Sequence, residues 1–127
     1  MKKLFISAPM KGRTEAQIRA TMEQMHHIAE AVFGEELEVI QSYIEDDPPK
    51  NKHMAVWYLG ESIQKMSEAD YFIGIYDENK DYRGCIIENL TAKNYGIPSY
   101  LVNICYVAPD VMEQKRIDER VANLEIY

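Results

Sequence analysis

Short apolar runs alternate with longer amphipathic stretches along almost the whole chain, and this alternation constrains the fold more than any other feature. We predict buried strands at residues 4–6, 37–40, 71–76 and 98–102. The stretch after each strand has the three- and four-residue spacing of apolar positions that is typical of a helix. A repeated β-α order indicates a parallel sheet with helices on its faces. Right-handed crossovers then favour the strand order 2-1-3-4, which is a three-layer α/β sandwich with a Rossmann-like sheet.

Capping residues mark several ends of the predicted helices. We place them at about residues 15–33, 53–69, 85–95 and 109–124. Thr14 and Gln17 have the spacing of a capping box before the first helix, and Gly34 ends that helix. Gly96 ends the third helix in the same way. We therefore expect the chain of 127 residues to be one domain, with the last helix appended to it.

Composition argues against several classes of function. The chain has 21 acidic and 14 basic residues and a formal net charge of −7, which disfavours binding of a nucleic acid polymer. No stretch approaches the ~20 apolar residues of a membrane span, and the N-terminal apolar run is too short for a signal peptide. The two cysteines are too few for a disulfide framework and lack metal-site spacing. We expect a cytoplasmic protein that uses no metal ion and no cofactor.

Two loops should meet at the switch point between the first and third strands, where ligands bind to sheets of this kind. The first loop is residues 7–13, after the first strand, and the second is residues 77–84, after the third. The first loop combines a hydroxyl, two cations and a glycine just before a helix N-terminus, which suits a phosphate or a carboxylate. Its candidate binding residues are Ser7, Pro9, Met10, Lys11, Gly12 and Arg13. A plain surface turn with solvated Lys and Arg side chains is the alternative, and residue types alone do not decide between the two.

The second loop carries the possible chemistry. Glu88 follows Gly84 by four residues, near the predicted start of the third helix, where the helix dipole should keep a carboxylate ionised. An ionised carboxylate is a poor acid but a serviceable nucleophile. Arg83 could pair with a substrate or with Glu88, and Tyr76 and Tyr82 flank the loop as candidates for sugar or base contacts. The alternative is that Glu88 merely stabilises the start of the helix.

Three segments carry a resemblance to a known family. They are Lys-Leu-Phe-Ile-Ser-Ala-Pro-Met-Lys-Gly at residues 3–12, Ser-Glu-Ala-Asp-Tyr-Phe-Ile at residues 67–73, and a Gly-x-x-x-Glu block within residues 83–97. In order and separation they resemble segments of the nucleoside 2-deoxyribosyltransferases and their relatives, the 2′-deoxynucleoside 5′-monophosphate N-glycosidases. The match runs from residue 3 to about residue 102, and it implies the same fold for this chain.

The resemblance also implies roles for individual residues. Glu88 would attack the anomeric carbon of a 2-deoxyribosyl group, and the covalent intermediate would react with water or with another base. The 5′-phosphate of a nucleotide would be held by Ser7, Lys11, Gly12 and Arg13. The resemblance further implies a nucleoside or nucleotide as the small-molecule partner, and a homodimer or larger homo-oligomer.

The chain departs from the family at one position. The family usually has an Asp eight residues before the Asp of its Ala-Asp pair, and counting back from Asp70 leads to Ser62. The neighbouring Glu61 points about 100° away on a helix. A well-placed general acid typically contributes about 10²–10⁴-fold to a rate. A non-catalytic nucleotide-binding protein of the same fold is therefore the alternative function, and a structural oligomer without a ligand is a third.

Overall fold

A computed structural model of the protein describes residues 1–10, 12–41, 48–76, 82–103 and 125–126. Eight helices and strands are assigned within these ranges. In chain order they are β1 (Lys2–Ser7), α1 (Glu15–Phe33), β2 (Leu37–Val39), α2 (Met54–Met66), β3 (Tyr71–Tyr76), α3 (Arg83–Asn94), β4 (Ser99–Asn103) and β5 (Glu125–Ile126). The predicted helix at 109–124 lies outside the described residues.

The strands form one sheet in the order β2-β1-β3-β4-β5. The pairs β1–β2, β1–β3 and β3–β4 are parallel, so the predicted order 2-1-3-4 is confirmed. The short β5 was not predicted, and it pairs antiparallel with β4, with Ile126 opposite Val102. The carboxyl ends of β1 and β3 lie side by side, with Ser7 opposite Gly74. This pairing determines where a ligand site can form.

Local signals placed both ends of α1 correctly, whereas α2 ends at Met66, three residues before its predicted end. The hydroxyl of Thr14 accepts a hydrogen bond from the backbone N–H of Gln17 at 3.1 Å, and the Gln17 side chain accepts one from the Thr14 N–H at 2.9 Å. Gly34 ends α1 in the left-handed conformation, with φ of 73°. The third helix begins two residues earlier than predicted, at Arg83 rather than Cys85, and so Glu88 lies in its second turn. No helix in the described ranges is long and apolar enough to cross a membrane.

Each face of the sheet has its own apolar core. The core beside α1 contains Leu4, Ile6, Met25, Ala29, Leu37, Ile73, Ile75 and Val102. The core on the opposite face contains Phe5, Ile40, Met66, Phe72 and Ala92, contributed by the sheet together with α2 and α3. Alternate residues of a strand point to opposite faces. Ser7 and Gly74 therefore share the face of α2 and α3, two residues beyond Phe5 and Phe72.

The Ala-Asp pair before β3 has a structural role. The backbone N–H of Asp70 donates to the carbonyl of Lys3 at 2.8 Å, and a carboxylate oxygen of Asp70 accepts from the Lys3 N–H at 2.8 Å. These two bonds join the start of β3 to β1. They secure the strand pair whose far ends carry Ser7 and Gly74.

Candidate functional site

The centre of the candidate site is the carboxylate of Glu88, which α3 carries on the side facing the sheet. The residue is 8% exposed. Its Oε1 accepts a hydrogen bond from the hydroxyl of Ser7 at 2.8 Å, and its Oε2 accepts one from the hydroxyl of Ser62 at 2.6 Å. Ser7 is the last residue of β1, and Ser62 belongs to α2. Each carboxylate oxygen therefore has a hydroxyl donor from a different part of the fold.

A glycine in β3 allows α3 to come this close to the sheet. A Cβ atom at Gly74 would overlap the side-chain amide oxygen of Asn89 and would lie 2.9 Å from a ring carbon of Phe72. Asn89 directly follows Glu88, and Gly74 lies opposite Ser7 in the β1–β3 pair. The amide oxygen of Asn89 is buried at this contact and has no hydrogen-bond partner among the described residues. The close approach at Gly74 is therefore what lets Glu88 reach Ser7.

The pKa of Glu88 is raised above its ordinary value. Burial is the largest cause, because it disfavours the charged carboxylate, and the hydrogen bonds from Ser62 and Ser7 partly oppose it. The expectation that the helix dipole would keep this carboxylate readily ionised is therefore wrong in direction. The dipole acts mainly over the first turn of a helix, and Glu88 lies beyond that turn. Desolvation by the surrounding core, which a linear sequence does not display, outweighs it.

A cysteine shares the site with Glu88. Cys85 is buried one turn earlier on the same face of α3, and its pKa is raised to about 11. Burial is the main cause, the nearby hydroxyl of Ser7 opposes it, and the negative charge of Glu88 adds to it. The thiol is therefore protonated at neutral pH and is a poor nucleophile. We did not identify Cys85 from the sequence, although its spacing from Glu88 and Ala92 is that of one helix face.

Ser62 was also missed as a contributor to the site. The sequence indicates only the loss of an acid at this position, but in the structure the Ser62 hydroxyl contacts Glu88 directly. The signal that could have found it is its spacing from Met66, because residues four apart on a helix share a face. Met66 is buried in the core under α2. Ser62 therefore points towards the same layer, one turn closer to the carboxyl edge of the sheet.

Hydrogen bonds from Arg13 connect the two ends of the first loop and join the loop to α1. The guanidinium of Arg13 donates to the carbonyl of Pro9 at 3.4 Å and to the hydroxyl of Thr21 in α1 at 2.8 Å. The backbone N–H of Arg13 donates to the carbonyl of Met10 at 3.2 Å, and Gly12 has φ of 76°. Lys11, the other predicted cation of this loop, lies outside the described residues.

The predicted residues of the second loop lie around the carboxyl end of β3. Tyr76 is the last residue of β3 and is partly exposed. Tyr82 is the N-cap of α3, and Arg83 and Gly84 are the exposed first residues of that helix. Residues 77–81 between them lie outside the described part. Among the predicted site residues, the structure thus brings Ser7 into contact with Glu88, whereas the Arg13 guanidinium binds within its own loop and α1.

The side chains at this site suit hydrogen bonding and covalent chemistry better than metal binding. No group of three or more His, Cys, Asp or Glu side chains that could hold a metal ion occurs among the residues that the structure describes. The site instead offers one carboxylate, two hydroxyls and a protonated thiol. A carboxylate oriented by hydroxyls in a buried setting can act as a nucleophile or accept a proton.

Two solved structures have a similar fold. One is a 2-deoxyribosyltransferase of the psychrotolerant bacterium Bacillus psychrosaccharolyticus, characterised as a biocatalyst for the synthesis of antiviral and antitumoral nucleosides. It is 15% identical, with a TM-score of 0.55, over 87% of this chain and 78% of that chain. The other is a conserved protein of Enterococcus faecalis V583, also 15% identical with a TM-score of 0.55, over 93% of this chain and 73% of that one. No protein-family model and no curated protein matches the sequence. These similarities establish a distant relationship of fold.

Proposed function

We propose that the protein cleaves or transfers the N-glycosidic bond of a 2-deoxynucleoside or its 5′-monophosphate, with Glu88 as the nucleophile. The observation that carries this proposal is the buried Glu88 carboxylate, held by hydroxyls from β1 and α2. It lies where ligands bind to open α/β sheets, beyond the carboxyl ends of the strands at the switch point. The fold shared with a 2-deoxyribosyltransferase is consistent with this chemistry.

The proposed reaction has two steps. In the first, an oxygen of Glu88 forms a bond to the anomeric carbon while the bond from that carbon to the base nitrogen breaks. The electron pair leaves with the base, which takes a proton from solvent. The sugar passes through an oxocarbenium-like state that a negative carboxylate stabilises. In the second step, water or another base attacks the anomeric carbon while the bond from that carbon to the Glu88 oxygen breaks, which releases the carboxylate, and the attacking group gives up its proton to solvent.

The surroundings of Glu88 have two opposing effects on this reaction. A buried carboxylate attracts the developing positive charge of the sugar more strongly than a solvated one. Burial also raises the pKa of Glu88, so a smaller fraction is ionised at acidic pH. The rate should therefore increase as pH rises through the pKa of Glu88, because the ionised form is the nucleophile.

We assign the 5′-phosphate to the first loop and the N-terminus of α1. The single hydroxyl hydrogen of Ser7 is donated to Glu88, so we now assign Ser7 to holding the nucleophile. Lys11, Gly12 and Arg13 would then bind the phosphate, and Pro9 and Met10 would shape the loop. An arginine has five N–H donors, so Arg13 can keep its bonds to Pro9 and Thr21 and still bind an anion.

In this proposal the sugar and the base bind on the side of the site formed by the end of β3 and the start of α3. Tyr76 and Tyr82 are placed at the carboxyl end of β3 and at the start of α3, and an aromatic ring there can stack on a base. Arg83 and Gly84 begin α3 and would contact the sugar or its substituents.

The proposal is tested by following free base by chromatography while purified protein is incubated with deoxynucleosides and their 5′-monophosphates. The wild type should release base, and Glu88→Gln should fall to the uncatalysed background. Glu68→Gln is the control, because Glu68 is an exposed carboxylate just after α2. Mass spectrometry of quenched reactions should find a deoxyribosyl group on the peptide that contains Glu88. Equal, slow release of base by wild type and Glu88→Gln would disprove the assignment.

A second candidate function is nucleotide binding without cleavage. It is favoured by the hydroxyl of Ser62, which contacts Glu88 at the position where the resembling family has an acid. Calorimetric titration with a panel of nucleosides and nucleotides separates the two functions. Binding with no release of base by the wild type would select this one.

We also propose that the chain forms a homodimer or a larger homo-oligomer. The outer face of α3 exposes the apolar side chains of Ile86, Ile87 and Leu90. Adjacent exposed apolar side chains on one helix are typical of an interaction surface. Light scattering coupled to size-exclusion chromatography measures the assembly, and a monomer at every concentration would contradict this part of the proposal.

A further inference from the structure

Ser7 and Ser62 hold the Glu88 carboxylate from two different elements. Ser7 lies at the end of β1 and is 1% exposed, whereas Ser62 lies in α2 and is half-buried. The terminal torsion of a glutamate side chain has a broad distribution in general, so a free carboxylate samples many orientations. One donor on each oxygen, at 2.8 Å and 2.6 Å, restricts this rotation. The orientation of the carboxylate is therefore restricted by donors from β1 and α2.

The chemistry at position 62 differs from what the family resemblance implies. An Asp there would act on the leaving base. A serine hydroxyl has one hydrogen to donate, and in this structure Ser62 directs it to Oε2 of Glu88. The side chain at this position therefore acts on the nucleophile.

We infer that Ser62 is a positioning residue whose hydroxyl fixes the orientation of the Glu88 carboxylate for attack on the anomeric carbon. This inference rests on the function proposed above. Ser62 holds the oxygen on the α2 side, and the more deeply buried Ser7 holds the other against the sheet. A carboxylate held in this way needs little reorganisation before it attacks.

The hydroxyl of Ser62 also affects the charge of Glu88. A hydrogen bond to a carboxylate favours its ionised form, and so Ser62 opposes the rise in the pKa of Glu88 that burial causes. Around Glu88, β1 presents Ser7, α2 presents Ser62, and α3 presents the thiol of Cys85, which is protonated up to about pH 11. Within the described residues, no charged side chain contributes to the pKa shift of Glu88. Removal of the Ser62 hydroxyl should therefore be visible directly in the titration of Glu88.

The first measurement is a carbon-13 NMR titration of the full chain with labelled glutamate carboxyl groups. The Glu88 resonance is identified by its absence in Glu88→Gln. Ser62→Ala should raise the pKa of Glu88 by about one unit, as expected for the loss of one hydrogen bond to a charged group. Ser62→Thr keeps a hydroxyl and should stay close to the wild type. Ser67→Ala is the matched control, because the Ser67 hydroxyl donates to the carbonyl of Gln64 at 2.5 Å, away from Glu88.

The second measurement is the steady-state rate of base release against pH. Ser62→Ala should lower kcat with little change in KM, and the acidic side of its pH profile should move to higher pH. A residue that only stabilises the fold would not move that profile. Thr and Val have nearly the same shape, but Thr has a hydroxyl where Val has a methyl group. Comparing Ser62→Thr with Ser62→Val therefore tests the role of the hydroxyl even where Ser62→Ala fails to fold.

The outcomes distinguish this inference from the function on which it rests. A wild-type protein that releases no base overturns the proposed function, whatever the variants do. A wild-type protein that releases base, with Ser62→Ala unchanged in kcat and in the pKa of Glu88, overturns the role of Ser62 and leaves the function intact. A rise in the pKa of Glu88 together with a lower kcat, both restored in Ser62→Thr, supports it.

Discussion

The hydroxyl of Ser7 lies 2.8 Å from Oε1 of Glu88, although 81 positions separate the two residues in the sequence. This bond joins the last residue of β1 to the second turn of α3. Both residues are buried, so the carboxylate oxygen cannot readily exchange this donor for water. The geometry of the candidate site and the stability of the fold therefore depend on the same contact.

Ser7→Ala should lower the free energy of unfolding by about 1–3 kcal/mol, because it leaves a buried carboxylate oxygen without its donor. It should also raise the pKa of Glu88. Urea denaturation measures the first effect. Ser99→Ala is the control, since the Ser99 hydroxyl is exposed and donates to the carbonyl of Ile97. Equal stability of Ser7→Ala and Ser99→Ala would contradict the importance of this contact.

Glu88→Gln should be more stable than the wild type at neutral pH. Burial raises the pKa of Glu88 above its ordinary value of 4.5, so between the two values the native state binds more protons than the unfolded chain. The free energy of unfolding then falls as pH rises through this window, and it remains lower above it. Glutamine does not titrate, so Glu88→Gln does not lose stability in this way as pH rises.

The difference between the two proteins should shrink as pH falls below the ordinary pKa of a glutamate. Urea denaturation over a series of pH values follows it. A wild type that is more stable than Glu88→Gln at pH 7 would show that the hydroxyls outweigh the burial of the charge.

Gly74→Ala should destabilise the protein by about 1–3 kcal/mol and reduce base release, because the new Cβ overlaps Asn89 and forces α3 away from the sheet. Gly60→Ala is a matched control. A Cβ at Gly60, inside α2, meets nothing within 4 Å, and Ala is the better helix former by about 1 kcal/mol. Thermal unfolding and activity assays of both variants test this pair. Gly74→Ala with wild-type stability and activity would contradict the close approach.

Cys85 should react slowly with iodoacetamide in the folded protein. With a pKa of about 11, only about one thiol in ten thousand is ionised at pH 7, and the side chain is buried. The experiment uses Cys105→Ser, so that the modified thiol is unambiguous. Alkylation should accelerate strongly in urea, and a rate in buffer equal to that of a cysteine peptide would contradict the burial of the thiol.

If Arg13 binds the 5′-phosphate as we propose, Arg13→Ala should weaken binding of a deoxynucleoside 5′-monophosphate by about tenfold, since it would remove a charge-assisted hydrogen bond. Binding of the unphosphorylated nucleoside should change less. Arg19→Ala is the control, because Arg19 lies on α1 and pairs with Glu15 at the exposed surface. Calorimetry with both ligands measures the difference. Equal losses for the two ligands would remove Arg13 from the phosphate site.

Local patterns were enough to predict the architecture. The apolar runs, the capping box at Thr14 and Gln17 and the left-handed Gly34 act over a few residues, and each was placed correctly. The order of strands followed from connection rules, which also put the ends of β1 and β3 together, whereas the contact between Ser7 and Glu88 is known only from the structure. The antiparallel β5 was not foreseen, since two residues carry too little pattern to indicate a strand.

Tertiary packing decided the pKa of Glu88 and the donors that bind its carboxylate. The sequence by itself determined that Glu88 lies near the start of the helix after β3, because this depends on the order of elements, but it left open which way the side chain points. Its raised pKa, the donor at Ser62 and the buried thiol of Cys85 depend on how deeply three elements pack around one carboxylate. Burial and donor geometry arise from residues distant in the chain, so they are set only when the sheet, α2 and α3 have come together.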